Sequence, residues 1–161
     1  MSQVGENEKV DVVNYVECSL LQMGNVEIVL VPFCKEMHWM LLIICPLIHE
    51  AYFCDPMTTT TRDTSFKHVL QMRSAFRGFK AYGGRTLRGV LSLKWSNIVC
   101  HQQEGSTECG YYVMRYMLDM VRRYRSIKDK DKWFSSTVAY TRDEINEVRQ
   151  LWADHFMENY F

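Results

Sequence analysis

The sequence predicts an α+β fold: a strand-rich middle with helices packed on it. Two observations carry that expectation. An almost wholly apolar run, His38 to Cys45, is followed after a short turn by a second strand-like run over 51–54. Further along, two stretches near 108–125 and 142–156 repeat apolar residues at helical spacing.

Composition bounds the possibilities. The chain has 161 residues, 47% hydrophobic and 24% charged, which is one domain's worth of ordinary globular sequence. That excludes a disordered, collagenous or coiled-coil protein. The longest apolar run, Trp39 to Cys45, is far short of a membrane span. The first 20 residues carry Glu6, Glu8, Asp11 and Glu17 and lack the apolar core of a secretory signal. Nineteen bases balance nineteen acids, so no nucleic-acid or membrane partner is expected. The balance is uneven along the chain: residues 1–61 hold eight acids and two bases, residues 62–94 eight bases and one acid. The basic stretch reads as a solvated face, with docking of an acidic partner as the alternative. The six cysteines show no repeated spacing and are expected to be free thiols in a reducing compartment.

Taken in order, residues 1–25 are weakly patterned, a frayed end followed by a helical or irregular segment over 10–21. Val26 to Val31 reads as a β-branched strand stopped by Pro32. His38 to Cys45 is apolar at every position after the histidine, so both faces need cover and it belongs at the centre of a sheet. Pro46 ends it and 47–50 turn. The strand over 51–54 ends at Asp55-Pro56, where the proline holds Asp55 extended. Thr58 to Thr61 is a loop. Ser65 is placed to cap a helix reaching Phe79, closed by Gly83-Gly84. Trp95 to His101 alternates as a further strand. A polar loop then leads into a helix over 108–125, capped by Ser106 or Thr107, with Val113, Tyr116, Met117, Met120 and Val121 inward. Thr141 and Glu144 form a capping box for a last helix whose core face would be Ile145, Val148, Leu151, Trp152 and Phe156.

Three residues stand out against this background. His38 sits at the mouth of the apolar strand. Asp55 sits at the end of the returning strand. If the two strands pair as a hairpin reversing near Leu47 and Ile48, the start of one lies beside the end of the other, and His38 meets Asp55. Cys109 falls in the first turn of a helix, where unpaired backbone N–H groups and the helix dipole favour negative charge on sulfur. A nucleophile needs a base, and the base an orienting partner. Cys109, His38 and Asp55 supply those roles. The Cys109 backbone N–H and the amide of Gln103, six residues earlier, would serve an oxyanion. Gly110 lets a substrate backbone approach without a side chain in the way. Each residue alone has an ordinary reading: an exposed histidine, a packing cysteine, a turn-forming aspartate, a loop glutamine. Their joint placement points to thiol chemistry. A zinc module through Cys34, His38, Cys45, His49 and Cys54 is the competing reading, but tight CxxC knuckles are absent.

At these residues the sequence resembles the Ulp/SENP family of cysteine proteases, which process SUMO and related ubiquitin-like modifiers. The likeness rests on His38-Trp39 opening the apolar strand, Asp55-Pro56 ending the next, and the run from Gln102 to Val113 around Glu108-Cys109-Gly110. The wording of that run is nearest to plant and transposon-associated members. The resemblance implies a papain-like (adenain/Ulp-type) fold, with a central mixed sheet and the nucleophile at the N-terminus of a packed helix. It implies Cys109 as nucleophile, His38 as base and then acid, Asp55 holding the imidazole tautomer, and Gln103 binding the oxyanion. It gives Trp39 as an aromatic lid over a Gly-Gly tail; core packing is the ordinary alternative for that side chain. No cofactor or metal is implied. The partners implied are SUMO or another ubiquitin-like protein and its conjugates, the protease itself a monomer in the nucleus or cytoplasm, the family favouring the nucleus. The protease domain would span 26–161. Residues 1–25 would be a divergent or truncated front end, since the modifier-binding segment usual there is not recognisable. A catalytically weak or inactive, modifier-binding relative is the alternative function.

Overall fold

A computed structural model of the chain describes residues 15, 18–22, 26–35, 37–57, 93–124 and 126–160. Strands β1 (Val29–Lys35), β2 (His38–Cys45), β3 (Glu50–Cys54) and β4 (Lys94–Asn97) form one sheet in the order β1-β2-β3-β4. The first three run as antiparallel neighbours, and β4 joins β3 in parallel. Helix α1 (Cys109–Arg123) packs on β2, and helix α2 (Arg142–Tyr160) packs on α1. Among the described residues, no helix is long and apolar enough to cross a membrane.

The apolar run of β2 is central because both its faces are covered. Leu41, Ile43 and Cys45 point to the side of α1, against Tyr112, Val113, Tyr116 and Met120. Met40, Leu42 and Ile44 point to the other side, against Leu20, Phe33, Ala51, Phe53 and Leu93. Leu41 and Ile43 are wholly buried, and each such side chain contributes roughly 1.5–3 kcal/mol relative to exposure. The β2–β3 hairpin reverses through a short 3-10 turn, Pro46–Ile48, closed by His49 in the left-handed region at φ 59°.

Several expected boundaries shift. Pro32 does not end β1; it lies inside the strand, opposite Leu41. An edge strand tolerates a proline because its missing N–H faces away from the ladder. The fourth strand stops at Asn97 rather than His101. The main chain beyond it is drawn instead toward Asp55, as described below. Val121, Leu151, Trp152 and Phe156, expected in the core, are exposed by 60%, 44%, 58% and 39%. Of α2, only Ile145 and Val148 are buried, and every residue of 151–160 except Ala153 is exposed. The expected loop over 58–61, the helix over 65–79, the Gly83-Gly84 stop and most of 1–25 lie outside the described residues.

The Thr141 capping box forms: Glu144 N donates to Thr141 Oγ1 at 3.3 Å and Thr141 N to Glu144 Oε2 at 2.8 Å. A buried polar network then fastens α2 to α1. Arg115, 3% exposed, donates to Asp119 Oδ1 and to the Glu144 carbonyl, both at 3.2 Å, and to Glu147. Tyr140 Oη donates to the second oxygen of Asp119 at 2.8 Å.

Candidate active site

The site begins at a tight turn. Lys35 pairs with His38, so β1 and β2 are joined by two residues, and Met37 takes a left-handed backbone at φ 65°. That is costly for a side chain larger than glycine's and is held by the paired strands on either side. The turn delivers His38 to the mouth of β2. Asp55 follows the last residue of β3 and is 1% exposed. His38 Nε2 lies 2.8 Å from Asp55 Oδ1, and Met57 N donates to the same oxygen at 2.8 Å. With Nε2 turned to the carboxylate, the other ring nitrogen, Nδ1, is left for a second partner.

Cys109 is the first residue of α1 and 5% exposed. Its sulfur lies 4.0 Å from the carbonyl oxygen of Met37, the residue directly before His38. The expected cap is different: Glu108, not Ser106 or Thr107, occupies the N-cap position, and its side chain makes no capping bond. Its carboxylate turns away to Arg149 of α2 at 3.3 Å, and that guanidinium lies over the Tyr111 ring at 4.3 Å. The beginning of α1 is therefore held by a clamp from α2, while the Glu108 side chain leaves the first-turn N–H groups uncapped and suited to an anion. Trp39, 41% exposed, brings its Cδ1 to 3.7 Å from where a Cβ on Gly110 would stand.

The segment after β4 closes the site from below. Ile98 N donates to the Phe53 carbonyl at 3.1 Å, one step past the ladder. Then the Cys100 thiol and the Gln102 side-chain amide both donate to the Asp55 carbonyl, at 3.3 and 2.9 Å. Gln103 N donates to the Pro56 carbonyl at 2.9 Å. Tyr112 Oη of α1 donates to the Gln102 carbonyl at 3.3 Å. The Gln103 side chain donates through Nε2 to the Gly105 carbonyl at 2.7 Å, and its Oε1 is buried with no hydrogen-bond partner. An amide nitrogen carries two hydrogens, so one remains for another acceptor.

The fold thus gathers His38, Trp39, Asp55, Cys109 and Gly110 at one end of the sheet, with Gln103 tied by its backbone beside Asp55. Sequence reasoning overlooked Cys100, Gln102 and Arg149. Their roles run through a carbonyl oxygen and an N-cap carboxylate, which no residue pattern announces.

Electrostatics separate the thiols. Burial, and next the Glu50 carboxylate, push Cys45 up to about 12. Cys100 is lowered, chiefly by a hydrogen bond with the Cys54 thiol, against the effect of burial. Tyr116 beneath them is driven far above its ordinary value, first by burial and then by Cys100. All six cysteines are free. Among the described residues, no three His, Cys, Asp or Glu side chains gather closely enough to hold a metal ion, so Cys34, Cys45, Cys54, His38 and His49 do not assemble the zinc ligand set weighed above.

Comparison with known proteins places the chain beside one protease family and its solved structures. The profile of the Ulp1 protease family, C-terminal catalytic domain, matches residues 19–155. A solved structure, the SUMO protease Ulp1 with its catalytic cysteine oxidized to a sulfinic acid, aligns with a TM-score of 0.52 at 16% identity, over 81% of this chain and 52% of that one. This chain spans about half the length of that structure, and at such identity the likeness is one of fold: an α+β, papain-like architecture. No curated protein matches the chain.

Proposed function

The chain belongs to the Ulp1 protease family, and from that premise we propose that it is a cysteine peptidase or isopeptidase cleaving after the C-terminal Gly-Gly of SUMO or a related ubiquitin-like modifier. The observation that carries the reading is the 2.8 Å contact between His38 Nε2 and buried Asp55, made at the mouth of β2 with Cys109 beside the preceding residue.

In this reading the Nδ1 nitrogen of His38 takes the Cys109 proton. The thiolate attacks the carbonyl carbon of the terminal glycine. Negative charge gathers on the carbonyl oxygen, where the Cys109 backbone N–H and the second Gln103 amide hydrogen would receive it. The imidazolium is stabilised by Asp55 and returns its proton to the leaving amine, giving an acyl-enzyme thioester that water hydrolyses. Trp39 beside Gly110 would form one wall of a channel too narrow for side chains, which selects glycine. The peptidase unit is proposed to begin at the β1 region, near residue 26, and the family favours a nuclear location. The alternative is a weakly active relative that chiefly binds a modifier. It is favoured by one observation: the Gln103 amide already donates to Gly105.

The test is a panel of ubiquitin-like modifiers carrying C-terminal electrophiles. SUMO or a close relative should label Cys109, and Cys109→Ser should abolish the adduct. Labelling that persists in Cys109→Ser, or no adduct with any modifier, would overturn the proposal.

A further inference from the structure

Glu108 carries a negative charge into a place where the chemistry needs to create one. It holds the N-cap position of α1, directly before Cys109, yet its side chain makes no capping bond. A carboxylate so close to a helix start is drawn to the unpaired N–H groups and the positive end of the dipole. Settled there, it would oppose negative charge on the neighbouring sulfur and on an oxyanion held by the Cys109 N–H. Something must keep it aside.

One side chain of the other helix does so. Arg149 Nη2 donates to Glu108 Oε1 at 3.3 Å. The same guanidinium lies over the Tyr111 ring at 4.3 Å and donates through Nη1 to Asn146 Oδ1 at 3.2 Å. It therefore touches residues on both sides of the Cys109-Gly110 pair. Its own backbone is anchored, because Val148 and Ile145 are buried and Arg115 of α1 binds the Glu144 carbonyl and the Glu147 carboxylate. Crowding does not explain where Glu108 points. A recess of about 580 Å³ opens there, lined by Glu104, Glu108, Tyr112, Tyr140, Arg142 and Arg149, with room for the carboxylate to turn. The two charged side chains are 38% and 40% exposed, and a pair so open to water adds little to stability. Its consequence is the place where a charge lies.

We propose that Arg149 is a positioning residue for the thiol reaction: it holds the Glu108 carboxylate on the side of α2 and so reserves the first-turn N–H groups of α1 for the negative charge that forms at Cys109. This role deepens the peptidase reading and rests on it for its catalytic consequence. Its effect on the sulfur is open to measurement without any modifier. Removing Arg149 alone releases a charge beside the nucleophile. Removing Arg149 and the Glu108 charge together releases none, so the second change cancels the first. A contribution of Arg149 through packing on Tyr111 would not be cancelled in that way.

The experiment compares wild type with Arg149→Met, Arg149→Lys and the double variant Glu108→Gln with Arg149→Met, all as the whole chain at one neutral pH. The first readout is alkylation of Cys109 by iodoacetamide, in which the sulfur displaces iodide and its proton goes to buffer. Peptide masses follow Cys109 separately, because Cys18 and Cys34 are also exposed. The second is steady-state cleavage of a SUMO fusion. Arg149→Met should slow alkylation and lower kcat by roughly 3- to 10-fold, with KM close to wild type. Arg149→Lys keeps the charge without the planar stack on Tyr111 and should lose less. The double variant should recover most of the loss, and thermal midpoints should all stay within about 2 °C. A loss that the double variant does not recover, or unchanged rates in Arg149→Met, would overturn the proposal. Cleavage of the fusion with alkylation indifferent to Arg149 would overturn it alone. Slower alkylation in Arg149→Met, recovered in the double variant of a chain that no modifier labels, would support the positioning role and overturn the peptidase reading.

Discussion

His38 and Asp55, 17 residues apart, are held 2.8 Å from each other by the register of one hairpin. Leu41 pairs with Cys54 across β2 and β3, which sets the head of the first strand beside the residue that leaves the second. The carboxylate is fixed further by Met57 N on the same oxygen and by two donors on its own main-chain carbonyl.

That arrangement predicts the outcome of Asp55→Asn. An asparagine oxygen can accept from both His38 and Met57, so the turn and the fold should survive. The imidazolium formed during attack would lose its counter-charge. Modifier-probe labelling and turnover should fall by roughly 10²- to 10⁴-fold, with the far-ultraviolet spectrum and thermal midpoint close to wild type. An Asn variant of full activity would remove Asp55 from the chemistry.

Gln103→Ala separates the oxyanion role from binding. The Gln103 backbone bond to Pro56 would remain, so the loop keeps its place. Loss of a donor that acts on the tetrahedral intermediate should lower kcat by roughly 10- to 1000-fold and leave KM little changed. Steady-state cleavage of a modifier fusion reads both. A rise in KM at constant kcat would mean that Gln103 only binds substrate.

Gly110→Ala should move stability and activity in opposite directions. A methyl group there meets Trp39 at 3.7 Å, an ordinary contact, and alanine is the better helix residue by roughly 0.5–1 kcal/mol. The thermal midpoint should rise by about 1–4 °C. The added methyl also stands between Trp39 and the start of α1, where the proposed glycine channel runs. Cleavage should therefore drop, mainly through KM. Equal activity in the alanine variant would place the channel elsewhere.

How much of this was legible in the sequence depends on what kind of force set each feature. The apolar run of β2 could only be a strand with both faces covered, and the hairpin length then put His38 near Asp55. The capping box of α2 was readable because Thr141 and Glu144 satisfy each other locally. The face of Leu151, Trp152 and Phe156 was read as core because periodicity says which residues share a side, not whether anything covers that side. Ser106 and Thr107 were better caps by propensity than Glu108. The Arg149 clamp and the three bonds from the 100–103 segment to Asp55 and Pro56 fix where the helix begins, and propensity yields to them. β4 ended early for the same reason: Cys100 and Gln102 turn to the Asp55 carbonyl instead of continuing the ladder.

The buried thiol of Cys45 predicts a response to alkali. It is wholly buried, and its pKa is pushed from 9.0 up to about 12 by burial and by Glu50. The folded protein keeps this proton over a range in which the unfolded chain gives it up. The contribution is fully present below pH 9 and is lost as pH rises from 9 toward 12, at about 1.4 kcal/mol per pH unit. Cys45→Ala removes the group. At pH 7.5 the variant should be less stable than wild type by about 1–2 kcal/mol, the cost of a small cavity. That gap should close near pH 10 and reverse above it. Tyr116 and Tyr140 are also raised, but both proteins carry them; Tyr52 is raised first by burial and then by Glu50, with Cys45 the smallest of its causes, so the difference reports mainly the cysteine. Urea unfolding midpoints of the pair at pH 7.5, 9 and 10.5 measure it, and a gap that stays constant with pH would show that Cys45 ionises as freely in the folded state as in the unfolded one.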